Sequence, residues 1–465
     1  MPERPSRRFH LLRRNGPFAL LAIATAGSAL GTYLAALALS VDIFDRTGSG
    51  RWLAALLVAD FLPMVVIGLT LGPLVDRLSR RRLMVVSDLV RGATFCVLPF
   101  VDEPGAIVAL AAVNGVASGF FRPAVWAGLP NLVDEPERED ATSLLSTVEH
   151  AAWMVGPVLA GVLLALPQLE VGGFDVPVGT DLAYWVNAAT FVVSAILVSR
   201  IPAVLLQSGE SLSRGHWSDV RDGLGLVLSS RPLLTVLLVW SIAGIATAGV
   251  NVAEVVLAKD DLGSGNIGLG ILVGATGVGL VVGSFFASAA LGSLGMRVVY
   301  GGSLALMGVG FGLAALAPTI AVAAVLAGVA TIGNGCAIVC NQVLVQRGAP
   351  DEMRGRSLAV LMSVYYAVLG LGMAGAGLLT DVAGARAVWA TAGVVYLVAS
   401  LIAVIMTRRI RADAMARIEA DGGLPADGIE RVEALLGEIE STRRAERERP
   451  PRQLPYIPRR RAGSR

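Results

Sequence analysis

Charge and reactive side chains are scarce in this chain of 465 residues. Asp, Glu, Lys and Arg together make up 16% of it, and there are three histidines, three cysteines and a single lysine, Lys259. Soluble proteins carry about 25% charged residues, so a water-exposed globule of this length is excluded. Three cysteines exclude a disulfide scaffold. Cys336 and Cys340 lie four apart with no histidine near them and no Cys-x-x-Cys spacing, which fits small packing residues rather than metal ligands. The only lysine follows no Gly-x-x-x-x-Gly, so a nucleotide-binding phosphate loop is excluded and with it direct ATP use. No Ser-His-Asp arrangement is legible. Neither an enzyme nor a cofactor or metal site is expected. The other 37 basic residues are arginines, a bias that a GC-rich genome explains. They border apolar runs rather than line one face, which argues against nucleic-acid binding.

What is present is apolar: 54% of the residues are hydrophobic. A bilayer-crossing helix needs about 20 mainly apolar residues. Twelve such runs are predicted, at 17–39, 52–73, 83–101, 105–127, 143–166, 181–200, 232–257, 267–291, 297–317, 319–346, 357–379 and 385–406. The first is too long for a cleavable signal peptide. With the N-terminus in the cytoplasm and twelve alternations, 34 of the 38 basic residues fall on the cytoplasmic side, leaving Arg46, Arg51, Lys259 and Arg386 outside. Without the arginine-rich tail the ratio is still 20 to 4. The positive-inside rule therefore puts both termini in the cytoplasm of a cell-membrane protein.

The longest internal cytoplasmic segment divides the chain into two sets of six spans. The expected organisation is an N-terminal bundle over 1–203, a linker over 204–231, a C-terminal bundle over 232–408 and a cytoplasmic tail over 409–465. Pro157 and Gly161 in span 5 and Gly370 to Gly375 in span 11 give a weak repeat, of the kind found in transporters that rock two bundles about a central site. In the tail, Ile429, Val432, Leu435, Leu436 and Ile439 recur at helical spacing before a Pro- and Arg-rich end. Such a segment suits either a short amphipathic helix and anionic head groups or plain solvent.

Between spans 2 and 3 the chain reads Gly72-Pro73-Leu74-Val75-Asp76-Arg77-Leu78-Ser79-Arg80-Arg81. This resembles, position for position, the Gly-x-x-x-Asp-Arg-x-x-Arg-Arg signature of the major facilitator superfamily. Asp88 and Arg91 in Ser87-Asp88-Leu89-Val90-Arg91, Arg122 in Phe120 to Ala124, and Pro350 to Arg356 resemble its drug:proton antiporter branch, which holds macrolide and siderophore exporters. The resemblance covers about residues 15–408. It implies an all-α integral membrane protein with the major facilitator fold, 12 transmembrane helices in two six-helix bundles. It also implies that Gly72, Asp76, Arg77, Arg80, Arg81, Asp88, Arg91 and Arg122 form a latch that closes the cytoplasmic side. Arg122 is expected to pair with Asp76 or another loop acid. The matching loop of the second half, Gly292 to Arg297, has no acid and departs from the pattern. Gly156, Pro157 and Gly161 resemble the Gly-Pro motif of proton-coupled exporters, in which span 5 packs between the bundles; its flanking glycines are replaced here by Ala152, Trp153 and Val162.

An ionisable group inside a span costs on the order of 3 kcal/mol or more, so each is a functional candidate. Asp60 lies about 12 Å from the outer end of span 2 and Glu149 about 9 Å from the cytoplasmic end of span 5, at 1.5 Å per residue. Glu149 shares a face with Gly156, and His150 points about 100° away. Glu254 sits near the outer end of span 7, where a solvated rim position is the plainer reading. Glu149, Asp60, His150 and Glu254 are the proton-coupling candidates. Tyr33, Asn114, Trp126, Trp153, Asn187, Asn251, Asn334, Asn341 and Gln342 are candidates for the cavity wall, although buried asparagine is also glue between helices. The expected partners are a small-molecule substrate, protons and the lipid bilayer, with no nucleic acid, and the working unit is expected to be a monomer. The first reading is a secondary active transporter that exports hydrophobic or amphipathic compounds by proton antiport. The alternatives are an uncoupled facilitator or importer, and a non-transporting receptor or scaffold.

Overall fold

The computed structural model describes residues 11–70, 78–165, 169–171, 174–176, 179–207 and 216–420. The described residues are nearly all helical. In chain order the helices are α1 (Gly16–Thr47), α2 (Gly50–Thr70), α3 (Arg80–Val97), α4 (Pro104–Leu132), α5 (Arg138–Ala165), α6 (Thr180–Ser199), α7 (Ala203–Leu206), α8 (His216–Ser229), α9 (Arg231–Val256), α10 (Gly265–Ala314), α11 (Ile320–Gly348), α12 (Asp351–Ala383) and α13 (Ala385–Ala420).

Ten of these are long and apolar enough to cross a bilayer. A straight helix of the length of α10, 50 residues, would reach about 75 Å at 1.5 Å per residue, more than twice a hydrocarbon core. It breaks at Gly295, whose φ of 78° lies outside the helical region and is open to glycine without strain. Counting the two arms of α10 separately and adding α2 raises the number of apolar spans from ten toward twelve. The outward faces carry large apolar side chains, among them Phe100, Phe285 and Leu371, each more than 75% exposed. Such a surface would aggregate in water but is solvated by lipid tails.

Local chemistry sets the helix ends. Asn15 caps α1 by accepting from the Phe18 N–H at 3.0 Å, and its own amide donates to the Leu132 carbonyl, tying the start of α1 to the end of α4. Gly48, at φ 57°, ends α1 in the left-handed conformation. Glu103 caps α4 through the Ala106 N–H at 2.6 Å. We call the end of the molecule that holds Asn15, Ser79, Leu132 and Gly348 the near face, and the end that holds Gly48, Val101 and Gly384 the far face.

Within the first half α1 packs on α5 and α6, α2 on α4, and α3 on α4 and α6; within the second, α9 packs on α12 and the arms of α10 on α11. The halves meet where α2 crosses α12 and α5 crosses α10. At the second crossing a Cβ on Gly161 would come 2.5 Å from the Gly270 Cα, so only glycine permits this approach.

Two features were not foreseen. An antiparallel hairpin, β1 (Leu169–Val171) with β2 (Phe174–Val176), pairs Leu169 with Val176 and Val171 with Phe174 between α5 and α6. And the segment expected as a loop between the halves holds α8, which packs on α12: a Cβ on Gly223 would meet the Arg356 carbonyl at 2.9 Å. Residues Met1–Thr407 form one compact unit and Arg408–Arg465 another. The amphipathic pattern at 429–439 lies outside the described residues.

Candidate functional site

A cavity of about 300 Å3 lies between the halves, walled by α1 to α5 on one side and by α9, α10 and α12 on the other. Its wall is mostly apolar and aromatic, with Phe61, Phe121, Trp153 and Met373, and carries the hydroxyls of Thr25, Ser28, Thr32 and Ser118. Five acidic or arginine side chains face it: Asp60, Arg91, Arg122, Glu149 and Glu254. Against the near face it adjoins a second space of about 500 Å3, with which it shares Met64 and Arg122. That vestibule lies between Pro123 and Trp126 of α4 and Gly355, Leu358 and Tyr366 of α12.

The charges are held by specific partners. Arg122 of α4 donates to Glu149 of α5 at 3.2 Å. Asp60 accepts from the Asn114 amide at 2.7 Å. Arg91 pairs with Asp88 one turn earlier, and its guanidinium sits between the rings of Phe121 and Phe191, 4.3 and 4.2 Å from their centroids. Glu254, half-buried, has neither a hydrogen bond nor a charged neighbour among the described residues.

The far face is shut by contacts between the halves. Asp381, at the end of α12, accepts from the Gly50 N–H at 2.5 Å, the Ser49 hydroxyl at 2.9 Å and the Arg51 Nε at 2.5 Å. A carboxylate of one half thus caps the N-terminus of α2 in the other, where free N–H groups and the helix dipole favour an anion. Lys259, just after α9, pairs with Asp45 of α1.

Several expected placements are corrected. Asp88 and Arg91, expected in the latch, are buried in α3, where they pair with each other, and Arg91 faces the cavity. The partner of Arg122 is Glu149, because α5 starts at Arg138 and brings Glu149 deep into the bundle. Arg80 donates to the carbonyls of Ala127 and Leu206, both at 3.0 Å, and Arg81 to those of Ser199 and Ile201, and these bonds brace helices of their own half. Gly156 packs against Tyr33 and Leu34 of α1, and of the Gly-Pro motif it is Gly161 that meets the other half. Asn187 is buried beside Thr190, and Asn341 accepts from the Tyr300 hydroxyl at 2.5 Å. Asn187, Asn334, Asn341 and Gln342 are absent from both cavity walls, and Asn114 acts there through Asp60. Tyr33, Trp153, Pro157 and Asn251 do line the cavity, and Trp126 lines the vestibule. Gly72, Asp76 and Arg77 lie outside the described residues, as does the side chain of His150.

Sequence reasoning did not single out Asp381 or Asp45. Asp381 stands at the end of span 11 and Arg51 at the outer end of span 2, and pairing those two ends would have found it.

A cavity between two helical halves, shut at one face and widening to the other, defines a major facilitator-type membrane transporter. Comparison with known proteins agrees. The chain belongs to the transmembrane secretion effector family, whose model matches residues 11–430. It is 26% identical over 407 residues to an uncharacterized MFS-type transporter, YfiS of Bacillus subtilis, covering 84% of this chain and 93% of that one. It is 24% identical over 409 residues to the multidrug efflux pump Tap of Mycolicibacterium fortuitum, covering 85% and 97%. Among solved structures, a point mutant of the nucleoside transporter NupG superposes with a TM-score of 0.67 at 14% identity, covering 84% of this chain and 99% of that one. That likeness concerns the fold alone.

Proposed function

We propose that this chain is a secondary active exporter of hydrophobic or amphipathic small molecules, driven by proton antiport. The observation that carries the reading is that three carboxylates, Asp60, Glu149 and Glu254, face one cavity formed by both halves. An ionisable group is kept within a span only at a cost, and such groups mark ion and substrate paths. The resemblance to an efflux pump supports export.

The count of arginines supports a cytoplasmic near face. The vestibule is then open inward, and the Asp381 and Lys259 contacts close the outside. Substrate enters from the cytoplasm or the inner leaflet and fills the apolar cavity. The halves rock, with residues 1–203 and 232–408 as the moving bodies, and the Asp381 bonds to α2 separate. On the outer-open side a proton reaches Glu149, neutralises it and releases Arg122; on return it leaves to the cytoplasm and the pair re-forms. The energy comes from the difference in proton activity, through the differing affinity of two states for the proton. One chain forms the cavity, which supports a monomer as the working unit.

The test is efflux of a dye or macrolide from proteoliposomes with and without a proton gradient. Gradient-dependent flux that is lost in Glu149→Gln, with substrate binding kept, supports the reading. Equal flux in both conditions makes the chain a facilitator. Unchanged coupling in that variant moves the coupling role to Asp60.

A further inference from the structure

Arg122 of α4 borders both spaces between the halves, the cavity and the vestibule. It donates to Glu149. Two phenols also lie within electrostatic reach of it, Tyr33 of α1 and Tyr366 of α12. Neither hydroxyl has a hydrogen-bond partner among the described residues. The other acids and arginines that face this space are Asp60 of α2, Arg91 of α3 and Glu254 of α9.

The two phenols differ in what holds them. Tyr33 belongs to the same half as Arg122, on a stretch of α1 packed so closely on α5 that a Cβ on Gly156 would come 2.7 Å from the Tyr33 Cβ. Tyr366 belongs to the other half. Its ring meets Tyr365 edge-on at 5.5 Å, and Tyr365 stacks on Trp240 of α9 at 5.0 Å. Tyr365 lies over Gly244, where a Cβ would come 3.1 Å from its ring. This aromatic shelf is built within the second half and moves with it. Tyr366 stands on the α12 side of the vestibule, opposite Pro123 and Trp126 of α4. Closing the near face narrows that space and carries Tyr366 toward Arg122.

We infer that Tyr366 is a positioning residue for the proton step, its hydroxyl oxygen accepting from Arg122 across the halves when Glu149 is protonated and the near face closes. The proton bonds to a carboxylate oxygen of Glu149, the ion pair is lost, and the freed guanidinium N–H donates to the Tyr366 oxygen. When the near face reopens, Arg122 parts from Tyr366 and returns to Glu149, and the proton leaves. A bond to Tyr33 stays within one half and cannot link the proton to the movement. One hydrogen bond to a charged group shifts a two-state equilibrium about tenfold or more. The inference rests on Glu149 as the proton carrier of the transport reading.

The test is a pulsed spin-label distance across the near face, between Glu135→Cys and Gln346→Cys, both exposed and in opposite halves. It uses the full chain in lipid nanodiscs, in a background lacking Cys96, Cys336 and Cys340. Glu149→Gln stands in for the protonated acid and should enlarge the short-distance population. Adding Tyr366→Phe, which keeps the ring, should reverse that gain by about tenfold in the ratio of short to long distances. Tyr366→Phe alone should leave the distances at neutral pH and the melting temperature unchanged, because Glu149 still holds Arg122. An equal effect of Tyr366→Phe with and without Glu149→Gln makes the hydroxyl merely structural and overturns the inference. So does no effect in either background, or a reversal produced by Tyr33→Phe instead. Distances unmoved by Glu149→Gln overturn it too, while gradient-dependent flux would keep antiport standing. Flux that ignores the gradient, with closure that still needs the Tyr366 hydroxyl, refutes antiport alone.

Discussion

Replacing Asp381 by Asn should unlock the far face. Its carboxylate gathers three donors from the other half, the Gly50 N–H, the Ser49 hydroxyl and the Arg51 guanidinium. The side chain of Asp381 is 14% exposed and that of Arg51 66%, so the ion pair itself is screened and contributes about 0.2–1 kcal/mol. The Gly50 backbone bond is more sheltered than the other two, and a hydrogen bond to a charged group contributes about 1.5–3 kcal/mol. Asparagine keeps one acceptor oxygen and so retains part of this. A net loss of about 2 kcal/mol remains, equivalent to about a 30-fold shift in a two-state equilibrium. A far-open state populated at about 1% would rise to about a quarter. The assay is a pulsed spin-label distance measurement between Phe100→Cys and Val382→Cys, both exposed at the far ends of opposite halves, in a background lacking Cys96, Cys336 and Cys340. The longer-distance population should grow in Asp381→Asn and stay small in Asp381→Glu. Unchanged distances in Asp381→Asn would refute the idea that this cap holds the outside shut.

Gly161→Val should force α5 from α10, because its side chain would enter the backbone of Gly270; overpacking of this kind costs about 1–3 kcal/mol, read as a lower melting temperature together with lost transport. Lys259→Gln, which breaks the contact with Asp45, should shift the same spin-label distances by less than Asp381→Asn does; a larger shift would reverse their ranking. Arg80→Ala should lower thermal stability by about 1–3 kcal/mol, since it strips the carbonyls of Ala127 and Leu206 of a charged donor. Arg80→Lys, with one reaching ammonium, should recover part of that loss.

The spans were legible because lipid imposes a simple rule on sequence: about 20 apolar residues, with arginine at the ends. Even the break in α10 showed, as Gly295 and Arg297 between two apolar runs. The hairpin was missed because a search for long runs passes over six residues, although Gly172-Gly173 between Leu169-Glu170-Val171 and Phe174-Asp175-Val176 is a turn signal in its own right. Asp60 and Glu149 were legible as acids in the wrong solvent, and both face the cavity. The asparagines were not sorted, because an amide that bonds between helices and one that faces a ligand look alike in sequence. Asn187 and Asn341 went into helix packing and Asn251 to the cavity. The setting of Arg91 was not legible, because only the rings of Phe121 and Phe191 and the pairing with Asp88 show how a charge inside α3 is sheltered.

The two halves contribute unequally to the cavity. Among the described residues, Asp60, Arg91, Arg122 and Glu149 come from the first half, where each has a partner, and Glu254 alone comes from the second. A partnered charge can change state only when its partner is released, so it suits a step coupled to a conformational change. A buried carboxyl without a partner is costly to keep charged, so Glu254 is open to proton exchange as well. The two acids separate by experiment: if Glu149 carries the coupling, Glu149→Gln should lose its response to the gradient and Glu254→Gln should keep it, and the reverse result would move the coupling role to Glu254.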